Sequence, residues 1–196
     1  MPNLVLASSS PRRKELLEKL SIPFTIYSPN VDESIDKDLK PAEIVSELSF
    51  RKAKKAGNKY PDSYVIGSDT VVVYKGTVLG KPADRETARK MLFSLSGCTH
   101  SVYTGVSVVF GKSVKTFYEK TDVTFWDLSN EEIERYLDSG EPFDKAGGYG
   151  IQGQGGLFVK SIHGDFYSVV GLPISRLYQV LKEMGLPQIE KGGSNG

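Results

Sequence analysis

The sequence predicts an α/β protein built on a mixed sheet, on three observations. Apolar, β-rich runs alternate with helical patterns along nearly the whole chain. Residues 101–110 and 114–126 are long, β-branched and aromatic, with Gly111-Lys112 between them as a hairpin turn, so part of the sheet is antiparallel. The 196 residues, 39% hydrophobic and 25% charged, are enough to bury a substantial core and do not have the composition of a disordered chain.

Taken in order, residues 3–7 read as a short buried strand. Pro11 then stands where a first helical turn tolerates proline, with Ser8, Ser9 and Ser10 available as caps. Leu16, Leu17 and Leu20 share one face of that helix. Residues 24–28 are a second strand and 41–56 a second helix, which turns Ile44, Val45 and Leu48 inward. Arg51, Lys52, Lys54 and Lys55 lie towards its C-terminal end, where cations suit the helix dipole. Residues 64–67 and 71–74 read as strand pieces interrupted by Ser68-Asp69-Thr70. Asp84 caps a helix to about Leu95, which Gly97 stops, and Ser129-x-x-Glu132 is a capping box opening a helix to about Asp138. Residues 155–162 and 166–170 read as further strands, and a last helix runs from after Pro173 to near Gly185. The chain reads as one domain over residues 1–190, with a Gly/Ser-rich tail, 191–196, expected to be flexible.

Charge and composition exclude several classes. With 25 Lys+Arg against 24 Asp+Glu the net charge is +1, so any anion binding is local, and there is no basic stripe with interleaved aromatics to suggest a nucleic-acid partner. No apolar run spans a bilayer, and the first arginines come after the short apolar run, where a signal peptide places them before it. A single cysteine, Cys98, forms no internal disulfide and is too few for a zinc cluster, so a cytoplasmic protein without a membrane anchor is expected. His100 and His163 lack partners at metal-ligand spacing and read as structural.

Candidate chemistry starts at Ser8-Ser-Ser-Pro-Arg-Arg13, where a serine-rich turn opens a helix. Free N–H groups, the positive end of the dipole and the forked donors of Arg12 and Arg13 suit phosphate, although a well-capped surface helix explains the same residues about as well. Asp69 stands inside an apolar β run, where a charge costs solvation unless it is paired, metal-bound or at a cleft edge; a strand-end acid is the plain alternative. Glu33 comes after a strand, in a loop. Two acids converging on a hard cation, with phosphate oxygens completing the shell, would suit magnesium or manganese. Lys52 and Lys81, the latter fixed in Gly80-Lys-Pro82, are cations able to answer a triphosphate, and surface lysines by default. In the glycine-dense stretch 144–156 the backbone can approach a ligand, and Gln152 or Gln154 can read a base edge. Gly148-x-Gly-x-x-Gly153 there is not a dinucleotide fingerprint, because residues 155–162 read as strand and not as the helix that fingerprint opens.

Together these segments resemble the Maf family. Ala7-Ser-Ser-Ser-Pro-Arg-Arg13, Val31-Asp-Glu33, Arg51-Lys-Ala53, Ile66-Gly-Ser-Asp-Thr70, Gly80-Lys-Pro82, Leu95-Ser-Gly97, Asp144-Lys-Ala-Gly-Gly-Tyr-Gly-Ile-Gln-Gly153 and Val170-Gly-Leu-Pro173 occur in that family's order, from Leu4 to about Leu186. The resemblance implies a nucleoside triphosphate pyrophosphatase with a fold like inosine triphosphate pyrophosphatase: an elongated sheet, flanking helices and two lobes around a cleft. Arg12, Thr70 and Gln152 match the branch that hydrolyses dTTP and UTP, where a sister branch preferring 7-methyl-GTP has Trp, Gln and Glu. The implied site has Asp69 as general base, Glu33 and Asp69 as ligands of a divalent cation (Mg2+ or Mn2+), and Lys52 and Lys81 assisting catalysis. Ser8, Arg12, Arg13, Thr70 and Gln152 would bind substrate. The resemblance further implies a homodimer and a house-cleaning role with a part in division arrest; a regulator of septum formation whose cleft senses nucleotide without hydrolysing it is the alternative reading.

Overall fold

A computed structural model describes residues 3–36 and 38–186; the expected flexible tail lies outside them. Strands β1 (Asn3–Leu6), β2 (Phe24–Ile26), β3 (Ser63–Tyr74), β4 (Thr77–Leu79), β5 (Thr99–Phe110), β6 (Ser113–Phe125) and β7 (Val159–His163) form one mixed sheet. Its order is β2-β1-β3-β5-β6-β7, with β4 also paired to β3. β2, β1 and β3 run parallel, and every other pairing is antiparallel. The helices are α1 (Pro11–Glu18), α2 (Pro41–Lys59), α3 (Arg85–Leu95), α4 (Asn130–Asp138), α5 (Phe166–Val170) and α6 (Ile174–Glu183).

Three expectations are corrected. β3 is continuous through Ser68-Asp69-Thr70: Asp69 pairs with Gly105 and Thr70 with Thr104 of β5. The charge is tolerated mid-strand because the Lys52 ammonium meets it. Residues 166–170 form a helix in place of a strand. Their apolar, β-branched composition favours a strand, but the Asp165 carboxylate accepts from the Ser168 N–H at 2.7 Å and starts a helical turn. Residues 154–158 form a 3₁₀ turn, so the strand after it is only Val159–His163. The β3–β4 hairpin was not expected. Lys75 and Gly76, at φ 48° and 78°, make its two-residue left-handed turn without the Asn-Gly that announces one.

Two glycines let α2 lie close on one face of the sheet. A Cβ on Gly67 would stand 2.2 Å from the Ser49 carbonyl oxygen, and one on Gly105 2.3 Å from that of Val45. The other face carries two separate cores. At one end Leu4, Leu6, Ile66 and Val106 pack on Leu16 and Leu17 of α1 and Leu177 and Leu181 of α6. At the other, Val72, Val102 and Val123 pack on α3 and α4 through Leu92, Leu95, Ile133 and Leu137. Between the cores runs a seam of hydroxyls, in which Thr104, Thr121 and Ser168 are fully buried.

The register also leaves a gap. On the edge of β3 away from β5, β1 pairs with residues 63–66 and β4 with residues 72–74. Residues 67–71 have no strand beside them on that edge among the described residues, and Asp69 is at the middle of the opening.

Candidate active site

A cavity of about 430 Å³ lies over that opening, between the two cores. Arg12, Arg13, Glu33, Lys52, Asp69, Thr70, Lys81 and Gln152 all line it. Eight of the nine residues singled out in the sequence are therefore brought to one cleft. Ser8 stands behind it, buried: its hydroxyl accepts from the Ser10 N–H at 3.2 Å and from Arg13 at 3.4 Å.

Lys52 is the centre of the charged cluster. Its ammonium lies 2.6 Å from Asp69 Oδ1 and 2.9 Å from Glu33 Oε1. The Lys52 and Asp69 side chains are each 14% exposed, whereas Glu33 is 63% exposed and reaches in from solvent. Lys52 immediately precedes Ala53, whose backbone N–H packs over Gly67, so the glycine contact brings Lys52 to the strand edge. The hydrogen bond from Lys52 holds the Glu33 carboxyl below its ordinary range.

Arg13 is fixed on three sides. Its Nε donates to the Gly171 carbonyl at 2.8 Å, Nη1 to Ser8 Oγ and Nη2 to Thr70 Oγ1 at 3.2 Å. Burial lowers its pKa, with the nearby Asp69 charge opposing. Two of its five N–H groups remain for a ligand. Arg12 is 3.1 Å from Asp144 Oδ2. Burial pushes the Asp144 carboxyl up, but hydrogen bonds from Lys145 and Arg12 outweigh it and hold it below the usual range. Lys81 is exposed and makes no hydrogen bond or ion pair among the described residues. Its loop is tied down by the Gly147 N–H, which donates to the Gly80 carbonyl at 3.0 Å.

Thr70 has its hydrogen bonds assigned by its neighbours. Thr104 Oγ1 donates to the Ser168 carbonyl at 2.7 Å, which uses its only proton. In the 2.9 Å contact between Thr70 and Thr104, Thr70 is therefore the donor. Thr70 also accepts from Arg13, and what it has left to offer a ligand is a lone pair.

Val72, Leu79, Val102 and Tyr149 add apolar lining to the cavity, and Gln152, exposed, also lines it, with its amide unpartnered among the described residues. The sequence pointed to the stretch 144–156 for its backbone and its glutamines, and did not single out the side chains of Asp144, Lys145 and Tyr149, which also line the cleft. Asp144 lies far from Arg12 in the chain, and no spacing rule connects them.

The cation chemistry can be tested on the donors. Glu33 and Asp69 bring two hard oxygens to one ammonium, the kind of donor magnesium or manganese selects. No group of three or more His, Cys, Asp or Glu able to hold a metal exists among the described residues. A cation here would complete its shell with oxygens from substrate and water. The residues fit such a metal.

The sheet, the gap at Asp69 and the cleft lined by Arg12, Arg13, Lys52 and Lys81 beside Val72, Val102 and Tyr149 define a mixed α/β protein with a candidate site between its two cores. The chain belongs to the Maf family: residues 3–184 match the family described as "Maf-like protein". A Bacillus cereus protein named dTTP/UTP pyrophosphatase is 51% identical over 186 residues, covering 95% of this chain and 97% of that one. A Bacillus anthracis protein of the same name is 50% identical over the same span. Among solved structures, a HAM1 protein from Coxiella burnetii shares the fold, with a TM-score of 0.50 and 16% identity over 93% of this chain and 100% of that one.

Proposed function

We propose that the chain is a nucleoside triphosphate pyrophosphatase that hydrolyses dTTP and UTP to the nucleoside monophosphate and pyrophosphate. The observation that carries this reading is the convergence of Asp69 and Glu33 on Lys52 at the sheet opening, beside Arg12, Arg13 and Lys81. Relatives at 50–51% identity bearing the name dTTP/UTP pyrophosphatase support the substrate class.

Arg12, Arg13, Lys52 and Lys81 bind the triphosphate and oppose the negative charge that builds on the leaving group. Asp69 takes a proton from the attacking water, whose oxygen forms a bond to the α-phosphorus. The bond from that phosphorus to the bridging oxygen breaks, and pyrophosphate departs with the electron pair. Magnesium or manganese, held by Glu33 and Asp69, would polarise the phosphate oxygens when bound. Thr70 and Ser8 keep Arg13 aimed at the phosphates. Val72, Leu79, Val102 and Tyr149 take the base, with the Gln152 amide at its polar edge. Uracil and thymine share two carbonyls flanking one N–H, and a pocket that leaves such a group unpaired loses roughly 1–3 kcal/mol.

No helix among the described residues is long and apolar enough to cross a membrane. We place the enzyme in the cytoplasm, with the nucleotide pools it would act on, as a homodimer; light scattering of the purified chain checks the dimer.

A panel of nucleoside triphosphates incubated with Mg2+ or Mn2+ tests the function. UMP or dTMP with pyrophosphate is expected, and turnover confined to 7-methyl-GTP would overturn the substrate assignment.

A further inference from the structure

One carboxylate outside the charged cluster gathers the glycine-rich stretch that carries Gln152. Glu141 Oε1 accepts from the Tyr136 hydroxyl at 3.0 Å and from the Gly155 N–H at 3.3 Å, and Oε2 accepts from the Gln154 N–H at 2.9 Å. The Tyr136 hydroxyl in turn accepts from the Gly150 N–H at 3.2 Å. The backbone is thus tied to Glu141 on both sides of Gln152: through Tyr136 at Gly150, and directly at Gln154 and Gly155. Gly153 lies against the same carboxylate, where a Cβ would stand 2.4 Å from Oε1. Within the stretch the Gly153 N–H donates to the Gly150 carbonyl and the Gly156 N–H to the Gly153 carbonyl, and residues 154–158 continue as the 3₁₀ turn.

The Gln152 side chain makes no hydrogen bond of its own among the described residues. Its place at the cavity is therefore set by its backbone, which is tied to Glu141 on both sides and held beside it by Ile151, packed against the first core. We infer that Glu141 is a positioning residue for pyrimidine recognition, holding the 150–155 arch so that the Gln152 amide meets the base. The inference rests on the proposed role of Gln152 at the polar edge of the base. Glu141 itself is not among the residues lining the cavity, so it acts only through the arch.

The test is a double-mutant cycle read in UTP kinetics. Glu141→Gln keeps one acceptor oxygen but turns an amide N–H₂ towards backbone donors. It is expected to raise the KM for UTP roughly tenfold in the wild-type background, the scale of a misplaced binding group. In a Gln152→Ala background the same substitution is expected to change KM less than about twofold. A merely structural role would lower activity by the same factor in both backgrounds, and that outcome, or an unchanged KM in Glu141→Gln, overturns the inference. Should Glu141→Gln fail to fold, Tyr136→Phe runs the same cycle, because its ring keeps its place in the core. A wild-type protein that does not turn over UTP would sink the functional reading instead. Amide exchange then judges the clamp: faster exchange at Gln154 and Gly155 in the Glu141 variant sustains it, and unchanged exchange overturns it.

Discussion

Asp69 and Lys52 are a close, largely shielded pair whose partners come from a strand and a helix. A charge largely withdrawn from water is costly unless it is paired, so each residue offsets the lost hydration of the other in the cleft. Asp69→Asn retains the size of the side chain but cannot take a proton. It is expected to cut kcat by a factor of about 10² to 10⁴ while the far-UV spectrum stays unchanged. Thr70→Val removes the acceptor for Arg13 Nη2 and strands the Thr104 lone pair. A fall of about tenfold in kcat/KM is expected, read in steady-state UTP hydrolysis. The chemistry of single residues was legible in the sequence where a residue was out of place, as with a carboxylate in a valine-rich run. That Glu33, Lys52 and Asp69 share one site came from the resemblance and from no spacing. The Lys52–Asp69 pair is made by the packing of α2 on β3, and Glu33 joins it from the loop before α2. The direction of the Thr70 hydroxyl was equally hidden, since it is set by the Ser168 carbonyl two hydrogen bonds away.

At the scale of elements, the site depends on how close α2 approaches the sheet. Gly67→Ala would drive a methyl into the Ser49 carbonyl and the Ala53 N–H, both backbone atoms that cannot rotate aside. It is expected to destabilise the fold by about 1–3 kcal/mol, measured by chemical denaturation. Displacing α2 also moves Lys52 off Asp69, so activity is expected to fall further than the unfolded fraction explains. Helices with strong local signals were readable: the Asp84 cap, the Ser129–Glu132 box and the proline starts all stand where expected. Residues 166–170 misled because composition spoke for a strand while one capping carboxylate decided for a helix. The β3–β4 hairpin escaped because its turn relies on a left-handed lysine.

Across the whole molecule, two cores share one sheet and leave the cleft between them. His100 belongs to the wall of the second core, edge-on to Phe125 and Tyr149, with its Nε2 2.7 Å from the Tyr149 hydroxyl. Its Nδ1 is buried without a partner among the described residues. Burial pushes the ring down to about 4 from an ordinary 6.5. The unfolded chain therefore protonates this histidine before the folded protein does. The stabilisation from keeping it neutral is complete above pH 6.5 and is lost as pH falls towards 4, a loss of about 3 kcal/mol. Denaturation midpoints across that range measure it, and His100→Gln is expected to flatten the slope. The α/β class and its hairpin were legible in the sequence, and the resemblance supplied the cleft. Neither reveals the gap between β1 and β4, which arises from where two short strands stop along β3.

Hydrolysis of UTP in ¹⁸O-labelled water, with products weighed by mass spectrometry, asks directly which phosphorus the Asp69 site attacks. Label in UMP, with unlabelled pyrophosphate, is the expected result. Label in pyrophosphate, or release of labelled orthophosphate with UDP, would contradict attack at the α-phosphorus and the placement of the triphosphate on which the mechanism rests.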